Sequence, residues 1–232
     1  MTKLEIIPLE GIPEISPGDD LVEIIGKIDA IQSGDILVVT QKIISKAENQ
    51  MVKIDPDDPL SHKPLVEKES VRILRRRGDL IISQTKHGFV CANAGIDLSN
   101  VERGQAALLP DDSDRSARRL RDGLAGRFKL DVGIIISDTF GRPWRRGLTD
   151  VAIGSAGVLP ILDLRGSPDA FGREMQVTEV ALVDELASAA ELVMGKSSGI
   201  PIAIIRGADE SWFGIGSVQD QIVRDPQDDL FR

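Results

Sequence analysis

Two aspartates flanked by small and polar residues are the groups in this chain best suited to chemistry. The stretch "NAGIDLSN", residues 93–100, sets Asp97 in close succession with Ser99 and Asn100. The stretch "VGIIISDT", residues 132–139, ends an apolar run on Asp138 and Thr139. A carboxylate at the end of a buried strand is held by a rigid element at an open edge, which suits ligand binding. Aspartate also caps helices and turns with no ligand present, and either residue taken alone reads that way first. Together, with hydroxyl and amide neighbours, the two point to a divalent ion held by oxygen.

The rest of the composition supports oxygen ligands. Cys91 is the sole cysteine and His62 and His87 the sole histidines, which excludes an internal disulfide and a Cys/His zinc cage. Carboxylates and hydroxyls select magnesium, manganese or calcium. The chain carries 28 Lys and Arg against 37 Asp and Glu, a net charge of −9, which disfavours binding to a nucleic-acid backbone. A small anion neutralised by metal remains compatible with it. The N-terminus shows no signal-peptide pattern and no apolar run is long enough to span a bilayer, so a cytoplasmic protein without membrane contact is expected. At 232 residues, 41% of them hydrophobic, the chain suits one large globular unit or two small ones.

Other segments could serve an anionic ligand. "DTFGRPWRRG", residues 138–147, adds Arg142, Arg145 and Arg146, whose forked guanidinium groups suit phosphate or carboxylate oxygens. The alternative is a solvated loop, although Trp144 is expected to pack on core or ligand. "VMGKSSGIP", residues 193–201, fails as a Walker A loop because Ala190 stands where the first glycine belongs and a helix precedes it. Its loop, Gly195 to Pro201, still offers backbone amides and Lys196 to a phosphate, or is simply a helix C-cap and turn. Lys42 and Lys46 share one face if "TQKIISKAENQ" is helical. "EGIP", Glu10 to Pro13, is a tight turn.

Elements that could position these residues alternate between strand and helix, the pattern of a mixed α/β protein. Strands are expected in "KLEIIPL", "SGDILVVTQKII", "VGIIISDT" and "IPIAIIRG". "DLIISQTKHGFVCANAG" reads as a hairpin turning at Lys86 to Gly88. Helices are expected in "SPGDDLVEIIGKIDAI" with Ser16 as cap and Pro17 in its first turn, and in "LVEKESVRILRRR", "SDRSARRLRDGLAGRF" and "TEVALVDELASAAELVMG". "KIDPDDPLSHKPL" is irregular without separating independent domains, and the polar C-terminal tail reads as loose at its end.

The ordered set "PLEGIP", "GDILVVTQKIISKAE", "NAGIDLSN", "LLPDDSDRSARRLR", "SDTFGRPWRRG", "AIGSAG", "FGREMQVTEVALVDELASAAELVMG" and "IPIAIIRG" resembles the coenzyme F420-0:γ-glutamyl ligase family. The resemblance covers nearly the whole chain, in the stand-alone form without the fused nitroreductase-like domain. It implies one ligase unit over residues 1–232, with room for two intimately packed subdomains. It also implies an unusual mixed α+β fold with mixed and antiparallel sheets, and an intertwined homodimer. The implied activity is GTP-dependent addition of L-glutamate to F420-0, then of further γ-linked glutamates, with magnesium or manganese and with potassium. By the same resemblance Asp97, Asp138, Thr139 and Ser197 are metal contacts. Asn100, Glu10, Gly11, Ile12, Pro13, Gln41, Lys42, Lys46 and the loop Gly195, Lys196, Ser197, Ser198, Gly199, Ile200 and Pro201 surround GTP. Asp97, Asp138 and Lys46 are the expected catalytic groups. A ligase with a different carboxylate acceptor and a non-catalytic nucleotide or metal sensor are the other readings.

Overall fold

The computed structural model describes residues 3–230, so the expected loose end at residues 231–232 lies outside the described residues. In chain order the elements begin β1 (Glu5–Pro8), α1 (Leu21–Gly26), β2 (Ile36–Thr40), α2 (Gln41–Ala47), β3 (Met51–Lys53) and α3 (Lys63–Glu69). They continue β4 (Ser70–Arg77), β5 (Leu80–Thr85), β6 (Val90–Ala92), β7 (Gln105–Ala107), α4 (Ser113–Phe128) and β8 (Gly133–Arg142). The last are β9 (Arg145–Ala156), β10 (Leu162–Asp163), β11 (Glu179–Val180), α5 (Leu182–Met194), β12 (Ile202–Arg206) and α6 (Val218–Gln221).

The principal sheet has the order β1-β12-β2-β8-β9; only β2 and β8 run parallel, and the other neighbours are antiparallel. Successive residues of β2, β8 and β12, such as Ile36 to Val39 and Ile134 to Ile136, are completely buried. Side chains alternate across a strand, so both faces are covered, which explains why these runs are continuously apolar. Helices α4 and α5 pack against the sheet, burying Ala117, Leu120 and Leu124 from one and Val183, Leu186, Ala187 and Ala190 from the other, the spacing of a helical apolar stripe. A smaller core of Val66, Ile81, Ala94, Ile96 and Ala106 lies beneath α3, β5 and β7.

The mixed α/β class and the hairpin at Lys86 to Gly88 match the sequence expectations, with Gly88 at φ +86 in the turn. Several expectations need correction. Strand β2 ends at Thr40, and the "QKII" of the expected strand "SGDILVVTQKII" opens helix α2. Helix α5 starts at Leu182, so the first residues of "TEVALVDELASAAELVMG" precede it, with Glu179–Val180 in β11. Helix α1 starts at Leu21 and is capped by Asp20, which accepts from the Glu23 N–H at 3.1 Å; Ser16 and Pro17 belong to a preceding turn. The segment "LVEKESVRILRRR" is helical only to Glu69. At Ser70 the hydroxyl donates to the Val66 carbonyl, and residues 70–77 then pair with β5, so cross-strand bonding overrides the helical propensity of leucine and arginine. Strand β8 runs on to Arg142 and turns back into β9, so "DTFGRPWRRG" is a hairpin and no loop. Trp144 stands at its tip, 80% exposed with φ +57, outside the core.

Candidate functional site

One end of the principal sheet gathers most of the expected site residues. Register places Pro8 opposite Ala203, Ile202 opposite Val39, Thr40 beside Ser137, and Thr139 opposite Asp150. The segments leaving these rows are Glu10 to Pro13, Gly195 to Pro201, the start of α2 with Gln41 and Lys42, and Asp138 with Thr139. The Leu9 N–H donates to the Ile202 carbonyl and the Thr40 N–H to the Pro201 carbonyl, both at 2.9 Å, fixing the two segments against the strand ends; residues 10–13 leave β1 as irregular chain and not as the expected tight turn.

Asp97 arrives from the smaller core. It follows a 3-10 turn, Asn93–Gly95, whose residues all have positive φ. A Cβ on Gly95, at φ +72, would lie 2.8 Å from Leu109, so both backbone and space require glycine. Asp97 exchanges two backbone hydrogen bonds with Ala107, at 3.0 and 2.9 Å. The neighbouring Leu108 carbonyl accepts from the Ser45 hydroxyl of α2 at 2.7 Å. This brace sets Lys42 Nζ 2.7 Å from Asp97 Oδ2 and 3.1 Å from Ser99 Oγ. Burial pushes Asp97 upward, but Lys42 and the Ser99 N–H at 2.7 Å outweigh it, holding the carboxyl below its ordinary range.

Asp138 is half-buried, and β8 extends past it, correcting the expectation that it ends its strand. Burial pushes its carboxyl up to about 7; the Thr139 N–H at 2.8 Å opposes this, while the negative charges of Asp97 and Asp150 reinforce it. Asp150 on β9 is a member of the site that sequence reasoning missed. It is 2% exposed, and its Oδ1 accepts from Thr139 Oγ1 and from Lys196 Nζ, each at 2.7 Å. Lys196 also donates to Thr139 Oγ1 at 2.6 Å and pairs with Glu191 at 2.8 Å. Burial works against its charge, yet Asp150 and Glu191 raise its affinity for the proton. The Lys196 carbonyl accepts from the Asn100 amide at 3.3 Å, joining the loop to the Asp97 segment. A signal for Asp150 is present in the sequence: it opens the apolar run "VAIGSA" as Asp138 closes "GIIIS".

The remaining candidates are less tightly gathered. Lys46 lies on the same face of α2 as Lys42 but pairs with Glu14. Gln41 is buried; its Oε1 accepts from Ser45 at 2.7 Å, and its Nε2 has no partner among the described residues. Gly195, at φ +62, forms the C-cap of α5, as the plainer sequence reading had it. Ser197 is exposed and has no hydrogen bond to a site carboxylate among the described residues. Ser198 donates to the Met194 carbonyl, Gly199 turns at φ +71, and Ile200 packs on the core. Arg142, Arg145 and Arg146 are exposed near the hairpin tip, about 10 Å or more along the strands from Asp138 at ~3.3 Å per residue.

The donors at this end are hard oxygens: Asp97, Asp138, Thr139 and Asp150. Their chemistry fits magnesium or manganese better than a soft ion. The crowding of negative charge around Asp138 is what a cation would relieve. Among the described residues no three Asp, Glu, His or Cys side chains are arranged to hold a metal ion; two of the carboxylates are instead engaged by lysines.

Comparison with known proteins narrows the chemistry. The sequence model of the family described as F420-0:Gamma-glutamyl ligase matches residues 11–207. A coenzyme F420:L-glutamate ligase of Methanopyrus kandleri is 42% identical, covering 99% of this chain and 97% of its own. One from Methanothermobacter thermautotrophicus is 42% identical over 88% of this chain and 89% of its own. One from Methanocaldococcus jannaschii is 40% identical over 99% and 97%.

Proposed function

The chain belongs to the F420-0:γ-glutamyl ligase family and is a ligase, and from that premise we propose that it joins L-glutamate to coenzyme F420-0 at the expense of GTP, and then adds γ-linked glutamates. A carboxylate is unreactive toward an amine at neutral pH, so it must first become electrophilic. In the proposed reaction a carboxylate oxygen of F420-0 attacks the γ-phosphorus of GTP. The bond to the bridging oxygen breaks, GDP leaves, and an acyl phosphate forms. The glutamate nitrogen attacks the acyl carbon, releases a proton, and inorganic phosphate departs as the amide forms.

Asp97, Asp138 and Thr139 would hold magnesium or manganese, with Ser197 as a contact to a second ion and potassium as an accessory. The divalent ion, when bound, would neutralise charge on the phosphate oxygens. Lys42 and Lys196 are positioned to share that work, since ammonium groups in a partly desolvated site act strongly on developing charge. Gln41 offers its unpartnered Nε2 to a nucleotide acceptor. Glu10 to Pro13, Lys46, Asn100 and Gly195 to Pro201 would surround the nucleotide, and Arg142, Arg145 and Arg146 would bind anionic groups of the acceptor. The working form is proposed to be a cytoplasmic homodimer. No described helix is long and apolar enough to cross a membrane.

The convergence of Asp97, Asp138, Thr139, Lys42 and Lys196 at one sheet end carries this reading. Its test is mass spectrometry after incubation with F420-0, GTP, glutamate and manganese. A ladder of glutamyl additions, lost in Asp97→Asn and Asp138→Asn, is the expected result. No product with F420-0 but turnover with another carboxylate would shift the acceptor, and GTP binding without turnover on any acceptor would make the protein a sensor.

A further inference from the structure

We propose that Asp150 is a positioning residue whose carboxylate holds Lys196 in place of a divalent ion, so that cation binding releases the Lys196 side chain toward the nucleotide. The inference rests on the proposed cation site. Asp150 is nearly inaccessible, with a side chain 3% exposed against 56% for Lys196. A buried carboxylate needs a charge partner or several hydrogen bonds. Its Oδ1 has both Lys196 Nζ and Thr139 Oγ1 at 2.7 Å, while among the described residues Oδ2 has only the Ser137 hydroxyl at 3.5 Å. The Lys196 ammonium therefore supplies the positive charge that Asp150 requires.

The same ammonium contacts Thr139 Oγ1 at 2.6 Å, an oxygen assigned above to the cation. A divalent ion and the ammonium cannot both occupy the space in front of that hydroxyl, because two positive charges within hydrogen-bond distance repel strongly. Loading the ion must then displace Lys196 from Asp150 and Thr139. Glu191, 2.8 Å from Lys196 Nζ on the last turns of α5, retains the lysine near the site. The Lys196 carbonyl keeps the Asn100 amide at 3.3 Å, so the displaced side chain swings while the loop backbone remains tethered. Asp150 thereby sets two things at once: the orientation of the Thr139 hydroxyl and the timing with which Lys196 becomes available.

Trypsin cleaves after lysine only when the side chain is free to enter its specificity pocket, so cleavage between Lys196 and Ser197 reports the clasp directly. The full-length protein in chelator, without nucleotide or acceptor, is expected to resist cleavage at this bond. Asp150→Asn is expected to be cleaved there roughly tenfold faster or more, the factor associated with losing one hydrogen bond to a charged group. Manganese should accelerate cleavage of the wild-type bond toward the rate of the variant, at concentrations matching binding measured by calorimetry; this arm needs no variant to fold. Heat of manganese binding with unchanged cleavage would overturn the exchange alone. Absence of that heat would overturn the cation site and the exchange with it. Equal cleavage of variant and wild type in chelator would show that Asp150 does not hold Lys196, whatever the ligase assay gives.

Discussion

Replacing Asp138 by asparagine should make the metal-free protein more stable while removing its ligase activity. The folded carboxyl is pushed from an ordinary 3.8 up to about 7 by burial and by Asp97 and Asp150. A carboxyl with a raised folded pKa binds its proton more tightly when folded. Its contribution to stability is complete below the unfolded value and is lost as pH rises through about 7. At pH 8 the wild type therefore holds an ionised group where a neutral one is preferred. The interval sets a ceiling of about 4 kcal/mol at 1.36 kcal/mol per pH interval of one, and half-burial lets solvent reduce this to about 2 kcal/mol. Asparagine keeps the size and can still accept from the Thr139 N–H. Urea denaturation in chelator should show the two proteins equal near pH 4 and the variant ahead by about 2 kcal/mol at pH 8. A variant equal to or weaker than wild type at pH 8 would refute the claim that Asp138 is electrostatically frustrated without the proposed cation.

Gly154→Ala should destabilise the fold by about 2 kcal/mol or more, read as a lower thermal midpoint, because a Cβ there meets the Ser113 backbone at 2.4 and 2.5 Å; an unchanged midpoint would contradict that packing. Arg206→Met should cost about 3 kcal/mol in urea denaturation. It strands Asp35, which is 1% exposed and held by two guanidinium bonds of 2.8 and 2.7 Å, and a loss below about 1 kcal/mol would be inconsistent with that. Cys91 is 5% exposed, and burial first, with the Asp138 charge second, pushes its thiol up to about 12 from 9.0. Alkylation of the native protein at pH 8 should run about a thousandfold slower than that of the urea-unfolded chain; labelling within tenfold of the unfolded rate would refute the burial of Cys91.

Local signals in the sequence sufficed wherever one element satisfies itself. Helix α4 runs over the predicted residues because Asp112 caps it, accepting from the Arg115 N–H at 2.8 Å, and its apolar stripe has a single period. Strands β2, β8 and β12 announce themselves as short β-branched runs buried on both faces. What was illegible depends on partners distant in the chain. Strand β4 is rich in arginine and reads as helix until β5 supplies its hydrogen bonds. The first half of β9 is exposed and polar, so only its pairing with β8 reveals it as a strand.

The candidate site divides along the same line, and the division bears on which residues to mutate. Asp97 and Asp138 are visible in sequence because each adjoins a distinctive local pattern, a glycine turn in one case and a strand in the other. Asp150 opens the run "VAIGSA", which by itself does not say what it faces, and acquires its place from the register that sets it opposite Thr139. In that pairing, which shifts register between Ile136 and Ser137, a slip of one residue would turn Asp150 to the other face. An insertion or deletion in the hairpin turn should therefore leave β9 paired but remove the partner of Lys196. Such a variant should lose ligase activity with Asp97, Asp138 and Thr139 all intact. Full activity after a one-residue deletion between Pro143 and Gly147, with the core register shifted in the variant's crystal structure, would show that the carboxylate on β9 is dispensable.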